Sequence, residues 1–256
     1  MEMNKQDLID VSEKIKDGLT VKKNYIILIF CCISLLSGCM YPRENMKQNA
    51  VPYEDQLQAV QKAVNTYKEQ NNGLLPIKTR DMSTPIYQKY PIDFQKIAPR
   101  YIQEAPGNAY ESGGVYQYVL VDVETNPTVK LIDVRMAEQI RDVKLKLQMY
   151  RDEHQYPPFK KVIADGVYEL DFKKMGYKDV PQVTSPYSGK GLPLVINEKG
   201  EIFVDYRMDL YEMLQKNGEK LKEGEDIRNM LLKDTPFVPA YSLPYTVRNG
   251  EPIFFK

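Results

Sequence analysis

Two stretches of this chain share one apolar pattern: QLQAVQKAVNTYKEQNNGLLP from Gln56 and QIRDVKLKLQMYRDEHQYPP from Gln139. No other feature narrows the possible folds as far. Leu57, Val60, Val64 and Tyr67 in the first correspond to Ile140, Val143, Leu147 and Tyr150 in the second, at a constant offset of 83 residues (57 to 140). Positions i, i+3, i+7 and i+10 share one face of a helix, so the spacing predicts two amphipathic helices that each press that face into a core. A polar cluster and then Pro follow in both. Each helix is expected to end there, because Pro excludes the αR conformation from its predecessor.

The echo continues downstream. YPIDFQKIAPRYIQEAP and YELDFKKMGYKDVPQVTSP share Asp-Phe-x-Lys at Asp93-Phe94 and Asp171-Phe172. This predicts a short Asp-capped helix that seats the Phe, with Ile97 or Met175, on the core. Strands are expected in GVYQYVLVDVE and TVKLIDVR, and a β-hairpin in LPLVINEKGEIFVDYR around Asn197 to Gly200. MDLYEMLQKNGEKL, EDIRNMLLKDTPFVP and LPYTVRNGEPIFF repeat the order in degenerate form, with Asn249-Gly250 as a strong hairpin turn. The reading is an α+β fold of tandem units, each an amphipathic helix followed by a short helix and antiparallel β-hairpins. Two full copies span 53–135 and 136–207, and a degenerate third spans 208–256.

Ahead of the repeats, Lys22 and Lys23 precede the apolar run NYIILIFCCISLLSGCM, residues 24–40. The run falls short of the roughly 20 residues a spanning helix needs and ends in small residues, as a secretory leader does. Leu36-Ser37-Gly38-Cys39 resembles the bacterial lipobox. That resemblance implies cleavage before Cys39, so that 1–38 is a signal peptide and Cys39 carries a diacylglycerol. Two or three acyl chains, each CH₂ contributing about 0.8 kcal/mol, suffice for stable anchoring. Residues 1–20 are acidic and polar, unlike the start of such a leader. A start placed too early, with Val21 as the initiator, would leave a leader of 18 residues up to Gly38. Residues 39–52 then read as the lipidated Cys and a tether that keeps the body within about 20 Å of the membrane.

Composition limits the chemistry. Lys plus Arg and Asp plus Glu are 35 each, and both fall to 30 once 1–38 is removed, so no net field draws the body to nucleic acid or anionic lipid. Cys31, Cys32 and Cys39 are the only cysteines, which excludes structural disulfides and thiolate metal sites from the body. His154 is the only histidine and reads as a solvated surface residue, since no Gly-x-Ser-x-Gly or comparable nucleophile element occurs. Asp122, Glu124, Asp133 and the run EGED at 223–226 lack the spacing of a calcium loop and read as strand and loop charges. Tyr87, Tyr90, Tyr101, Tyr110, Tyr116 and Tyr118 could form a sugar platform, but amphipathic core filling is the favoured reading. GNAYESGG, at 107–114, reads as a loop. No cofactor and no metal ligands are expected.

The second repeat, with QIRDVKLKLQMYRDEHQYPP and SPYSGKGLPL, is similar to the soluble part of type IV pilins and pseudopilins, which implies a shared local fold. LLSGC, VPYEDQL, GLLPIKTRD, TPIYQKYPIDF and VYQYVLVDVETNPTVKLIDVR resemble uncharacterised lipoproteins of Bacillus-type spore-forming bacteria. Some of these carry the label of substrate-binding component of an ABC transporter. The expected function is a lipid-anchored, non-enzymatic binding or interaction module on the extracytoplasmic face of a Gram-positive cell membrane. It would be held there by its diacylglyceryl-Cys39 and would meet an envelope protein or other ligand, and no nucleic acid. A solute-binding lipoprotein for a transporter is the alternative. It ranks second because hairpins, rather than a parallel sheet, dominate the pattern. A cell-wall hydrolase working through paired carboxylates ranks third.

Overall fold

Helix α1 (Tyr53–Gln70) forms as its spacing requires. Val60, Ala63 and Val64 are buried, and Leu57 and Tyr67 pack at the margin of the same cluster. Glu54 and Asp55 in the first turn and Lys68 in the last complement the helix dipole. The computed structural model describes residues 53–217 and 221–255. The leader, the lipobox residues Leu36, Ser37 and Gly38, Cys39 and the tether lie outside the described residues. Helix α3 (Arg135–His154) repeats the arrangement, with Met136, Ile140, Val143 and Leu147 buried and Tyr150 at the margin. Each buried aliphatic side chain stabilises by about 1.5–3 kcal/mol.

Both helices stop on the polar cluster rather than on Pro. Asn72 and Gly73 adopt positive φ, and Gly73 N–H donates back to Lys68 O. Gln155, at φ 71, closes α3 by donating to Arg151 O. Left-handed residues satisfy the last carbonyls and turn the chain before Pro76 and Pro157 are reached.

The first unit continues through helix α2 (Phe94–Ile97) to the hairpin β1 (Tyr116–Val121) and β2 (Thr128–Asp133). The Asp93 carboxylate accepts from Gln95 N–H at the head of α2, and Phe94 and Ile97 are buried, as expected. In the second unit Asp171 starts consecutive turns instead of a helix. Lys174 N–H donates to Asp171 O and Met175 N–H to Phe172 O, yet Phe172 and Met175 are buried like their counterparts. Gly176, at φ 79, follows immediately, and a left-handed residue there turns the chain before a helical turn can close.

A hairpin not anticipated from the sequence precedes that turn: β3 (Phe159–Ala164) and β4 (Val167–Leu170), joined at Asp165-Gly166. Then β5 (Gln182–Thr184) pairs with the start of β6 (Gly191–Asn197). The end of β6 pairs with β4, and β7 (Ile202–Val204) folds back on β6 through the expected Asn197–Gly200 turn. All these pairings are antiparallel. Helix α4 (Arg207–Asn217), a 3₁₀ turn (Arg228–Leu232) and the hairpin β8 (Tyr245–Arg248) and β9 (Glu251–Phe254) complete the chain. Asn249 and Gly250 both take positive φ, as a type I′ turn requires.

The two units share a pairing order. In the second it runs β3–β4–β6–β7; in the first, Ile77 bridges Ile92, Pro91 bridges Val119 of β1, and β1 pairs with β2. Asp93 N–H donates to Pro76 O and Asp171 N–H to Pro158 O, both at 2.8 Å. The third copy keeps one piece of this: Ile227 N–H donates to Tyr245 O at 2.9 Å, as Ile92 N–H does to Tyr118 O.

One segment joins the units. Leu131 N–H on β2 donates to Pro236 O (2.8 Å), Val238 N–H donates to Leu131 O (3.1 Å), and Val204 N–H on β7 donates to Tyr241 O (2.8 Å). Lys130 Nζ donates to Leu232 O at 2.8 Å and also to Thr235 O. Ile227, Met230, Leu231 and Tyr245 lie in the same apolar cluster as Ile140, Val143 and Leu147 of α3. Among the described residues no helix is long and apolar enough to cross a membrane.

Candidate functional site

Three Asp-x-Arg triplets, at 133–135, 205–207 and 226–228, take one geometry. In each, Asp Oδ1 accepts from the Arg backbone N–H at 3.0–3.1 Å, Nε spans both carboxylate oxygens, and Nη2 donates to Oδ2 at 2.5–2.6 Å. The carboxylate holds the turn that launches the following helix and fixes the guanidinium in its plane. Burial separates the three. The Arg side chains are 52, 37 and 10 % exposed at 135, 207 and 228. Arg228 uses Nη1 as well, donating to Ser242 Oγ and O, and its guanidinium lies over the Tyr87 ring. Arg207 stacks its guanidinium on Phe254, 4.7 Å from the ring centre, and its Nη1 has no partner among the described residues.

Arg207 lines a cleft of about 920 Å³ formed by the turns of two hairpins and the chain's C-terminal hairpin. Ile163 and Val167 come from the β3–β4 hairpin, Glu198 and Lys199 from the β6–β7 turn, and Leu243, Ile253, Phe254 and Phe255 from around β8 and β9. A second concavity of about 430 Å³, lined by Pro193, Met208, Tyr211 and Pro252, also has Arg207 in its wall. Volumes of this order hold small ligands or a few residues of a partner chain. Burial works against the charge on Arg207, but the hydrogen-bonded Asp205 carboxylate outweighs it and raises its pKa. Arg207 therefore stays cationic throughout the physiological range.

A second polar cluster is buried beneath α4. Ser185 Oγ donates to Asp209 Oδ2 at 2.8 Å and Ser188 Oγ to Asp209 Oδ1 at 2.6 Å, while Ser185 Oγ accepts from the N–H groups of Tyr187 and Ser188. Burial pushes the Asp209 carboxyl up, and the two hydroxyls offset part of that rise. These bonds tie the SPYSGKG loop to the first turn of α4. Tyr187, in this loop, packs against the cores of both units.

The residues weighed from the sequence are scattered. His154 ends α3, stacked on Tyr150 at 4.0 Å with Nδ1 3.1 Å from Tyr150 O. Asp133 belongs to the first Asp-x-Arg pair, Asp226 to the third, and Glu223 pairs with Arg248 at 2.6 Å. Asp122 sits at φ 51 in the β1–β2 turn. Among the described residues no three acidic, Cys or His side chains stand close enough to hold a metal ion. Tyr118 is buried and donates to Asn108 Oδ1, and Tyr90, Tyr101 and Tyr116 pack on the same core, whereas Tyr110 is exposed. Tyr118, Tyr90, Tyr101 and Tyr116 are therefore core fillers, and Tyr87 packs partly buried on a neighbouring cluster. In GNAYESGG, a Cβ on Gly114 would lie 2.1 Å from the Asn108 carbonyl, so the loop's close approach demands Gly there.

Sequence reasoning missed the cleft. Its floor comes from a hairpin whose Asp-Gly signal at 165–166 was available, and from Asp-x-Arg, which recurs plainly once read as a motif.

Residues 53–133, from the first residue of α1 to the last of β2, match the model described as the YphF family N-terminal domain. No curated protein matches the chain, and no solved structure does.

Proposed function

We propose that this chain is a lipid-anchored, non-enzymatic binding module on the extracytoplasmic face of the cell membrane. In this reading residues 1–38 are removed, Cys39 carries the diacylglycerol, and residues 39–52 tether a body that belongs with the uncharacterised lipoproteins it resembles. The observation that carries the binding role is the cleft around Arg207, a mostly apolar concavity with one rigid, partly buried cation in its wall.

The volume of that cleft also suits the alternative, a solute receptor for a transporter. Two-lobed receptors close by hinge motion between lobes built on parallel sheets. Here all ladders within the sheets are antiparallel, and one segment hydrogen-bonds the last strand of both units. These features favour a rigid presenting surface.

Two measurements test the proposal together. Metabolic labelling with palmitate should mark the wild-type chain and send it to the membrane fraction, while Cys39→Ala should lose both label and membrane retention. Affinity capture from native membranes, with Leu243→Trp filling the cleft, should lose the captured species. An unlabelled, soluble wild-type chain would refute the anchor, and capture indifferent to Leu243→Trp would refute the cleft.

A further inference from the structure

Resting on the binding-module reading, we infer that the cleft takes an anion carried on an apolar body, with Arg207 as the group that receives the anion. The three Asp-x-Arg staples supply an internal control. They share the same bonds to their own carboxylates, so whatever differs beyond those bonds marks a difference in role. Arg228 places its last nitrogen on Ser242 inside the fold. Arg207 keeps Nη1 unspent among the described residues, although only 37 % of its side chain is exposed and it is held between Asp205 and the Phe254 ring. A guanidinium fixed on two sides loses little rotamer freedom on meeting an oxygen ligand, and its remaining N–H groups match a carboxylate or phosphate oxygen.

The surroundings fit the rest of such a ligand. Ile163, Val167, Leu243, Ile253 and Phe255 supply apolar wall. Lys199, without an ion-pair partner among the described residues, supplies further positive charge, whereas Arg248 is paired with Glu223 at 2.6 Å, and Asp165 and Glu198 add negative charge to the wall. A cationic head would meet Arg207 and Lys199; a neutral one would leave Nη1 unpaired.

The chemistry is shared by a soluble alkyl carboxylate and by the headgroup and chain of an anionic lipid. Titration of the body with its tether, residues 39–256, with octanoate, octanol and octyltrimethylammonium, followed by amide NMR shifts, tests the class. Octanoate should shift Phe254, Ile253 and Gly166 amides and bind at least tenfold more tightly than the other two. Arg207→Gln should remove that preference. Because it also strands Asp205, Asp205→Asn/Arg207→Gln and the exposed-turn variant Lys199→Glu are run beside it, the latter expected to weaken octanoate several-fold with shifts elsewhere unchanged. Co-sedimentation with phosphatidylglycerol and phosphatidylcholine vesicles then separates the sources: selective, Arg207-dependent sedimentation assigns the lipid, and its absence with octanoate bound assigns a soluble ligand. Equal binding of octanol, or no binding by any of the three, would overturn the inference. Membrane capture blocked by Leu243→Trp would in that case still stand, so the two readings fail separately.

Discussion

The two helix-and-sheet units are built on one plan and end differently. The first closes largely on itself, with Phe237 of the joining segment added to its core and Val238 and Ala240 packed on the far face of its hairpin: β1–β2 carries Tyr118, Leu120, Val129 and Leu131 onto α1 and α2, and Gln61 of α1 clamps β2 by accepting from Val129 N–H at 2.7 Å and donating to Pro127 O at 3.0 Å. The second closes only with help from the 3₁₀ turn and the C-terminal hairpin, because Ile227, Met230 and Tyr245 complete its core. Where the first unit has single bridges at Ile77 and Pro91, the second has the β3–β4 hairpin, and the cleft opens between that hairpin's turn and β9. A repeated core pattern thus fixes the fold, while the extra strands of one copy form part of the cleft.

The largest test of this contrast is truncation after Thr235, which removes the joining segment and β8–β9. Amide exchange should show β6 losing its protection altogether while α1 and β1 retain part of theirs. Equal loss in both units would mean that the first does not close on itself.

Next come the matched helix faces. Leu147→Ala should cost about 3 kcal/mol and Val64→Ala about 2 kcal/mol in denaturant unfolding, because both side chains are fully packed. A neutral result at either position would break the equivalence of α1 and α3.

The Asp-x-Arg staples sharpen it further, since their geometry is equal and their burial is not. Arg228→Ala removes a guanidinium that is only 10 % exposed, together with its bonds to buried Ser242, and should cost about 3 kcal/mol, whereas Arg135→Ala removes a half-exposed guanidinium, leaves Asp133 its bond from the backbone N–H of residue 135, and should cost about 1 kcal/mol. Similar losses in thermal and denaturant unfolding would show that the turn, and not burial, sets their worth.

The smallest effects are those of pH. Burial pushes Tyr87 and Tyr118 up to about 12. Folded-state protons held more tightly than in the unfolded chain give stability that is complete below about pH 10 and lost between 10 and 12. Tm should therefore decline above pH 10, less steeply in Tyr87→Phe. The raised Asp209 carboxyl has the same sign at the acid end: its contribution is full below the ordinary carboxylate value and fades as pH rises through its own. Asp209→Asn should flatten the stability profile there.

Much of the fold was legible because it rests on local periodicity. The faces of α1 and α3, the Asp93 cap and the turns at Asn197–Gly200 and Asn249-Gly250 all follow from spacing and turn chemistry. What escaped depends on partners distant in sequence. β3 is an edge strand with mostly exposed side chains and two register shifts, so its alternation carries little signal. The segment 236–241 reads as the middle of a third repeat, yet pairs with β2 and β7, about 105 and 37 residues earlier, a choice only tertiary packing makes. Arg207 did not stand out in the sequence because what separates it from Arg228 is the absence of a partner for Nη1 among the described residues, which only the folded chain displays.

The most direct test of the binding role is a photo-crosslinking amino acid placed at Phe255 in the cleft and, separately, at Tyr110 on the first unit's surface, both exposed. After irradiation of intact cells and intact-mass measurement, a discrete adduct from position 255 and none from 110 is the predicted result. An adduct from 110 alone, or none from either, would contradict a binding surface in the cleft.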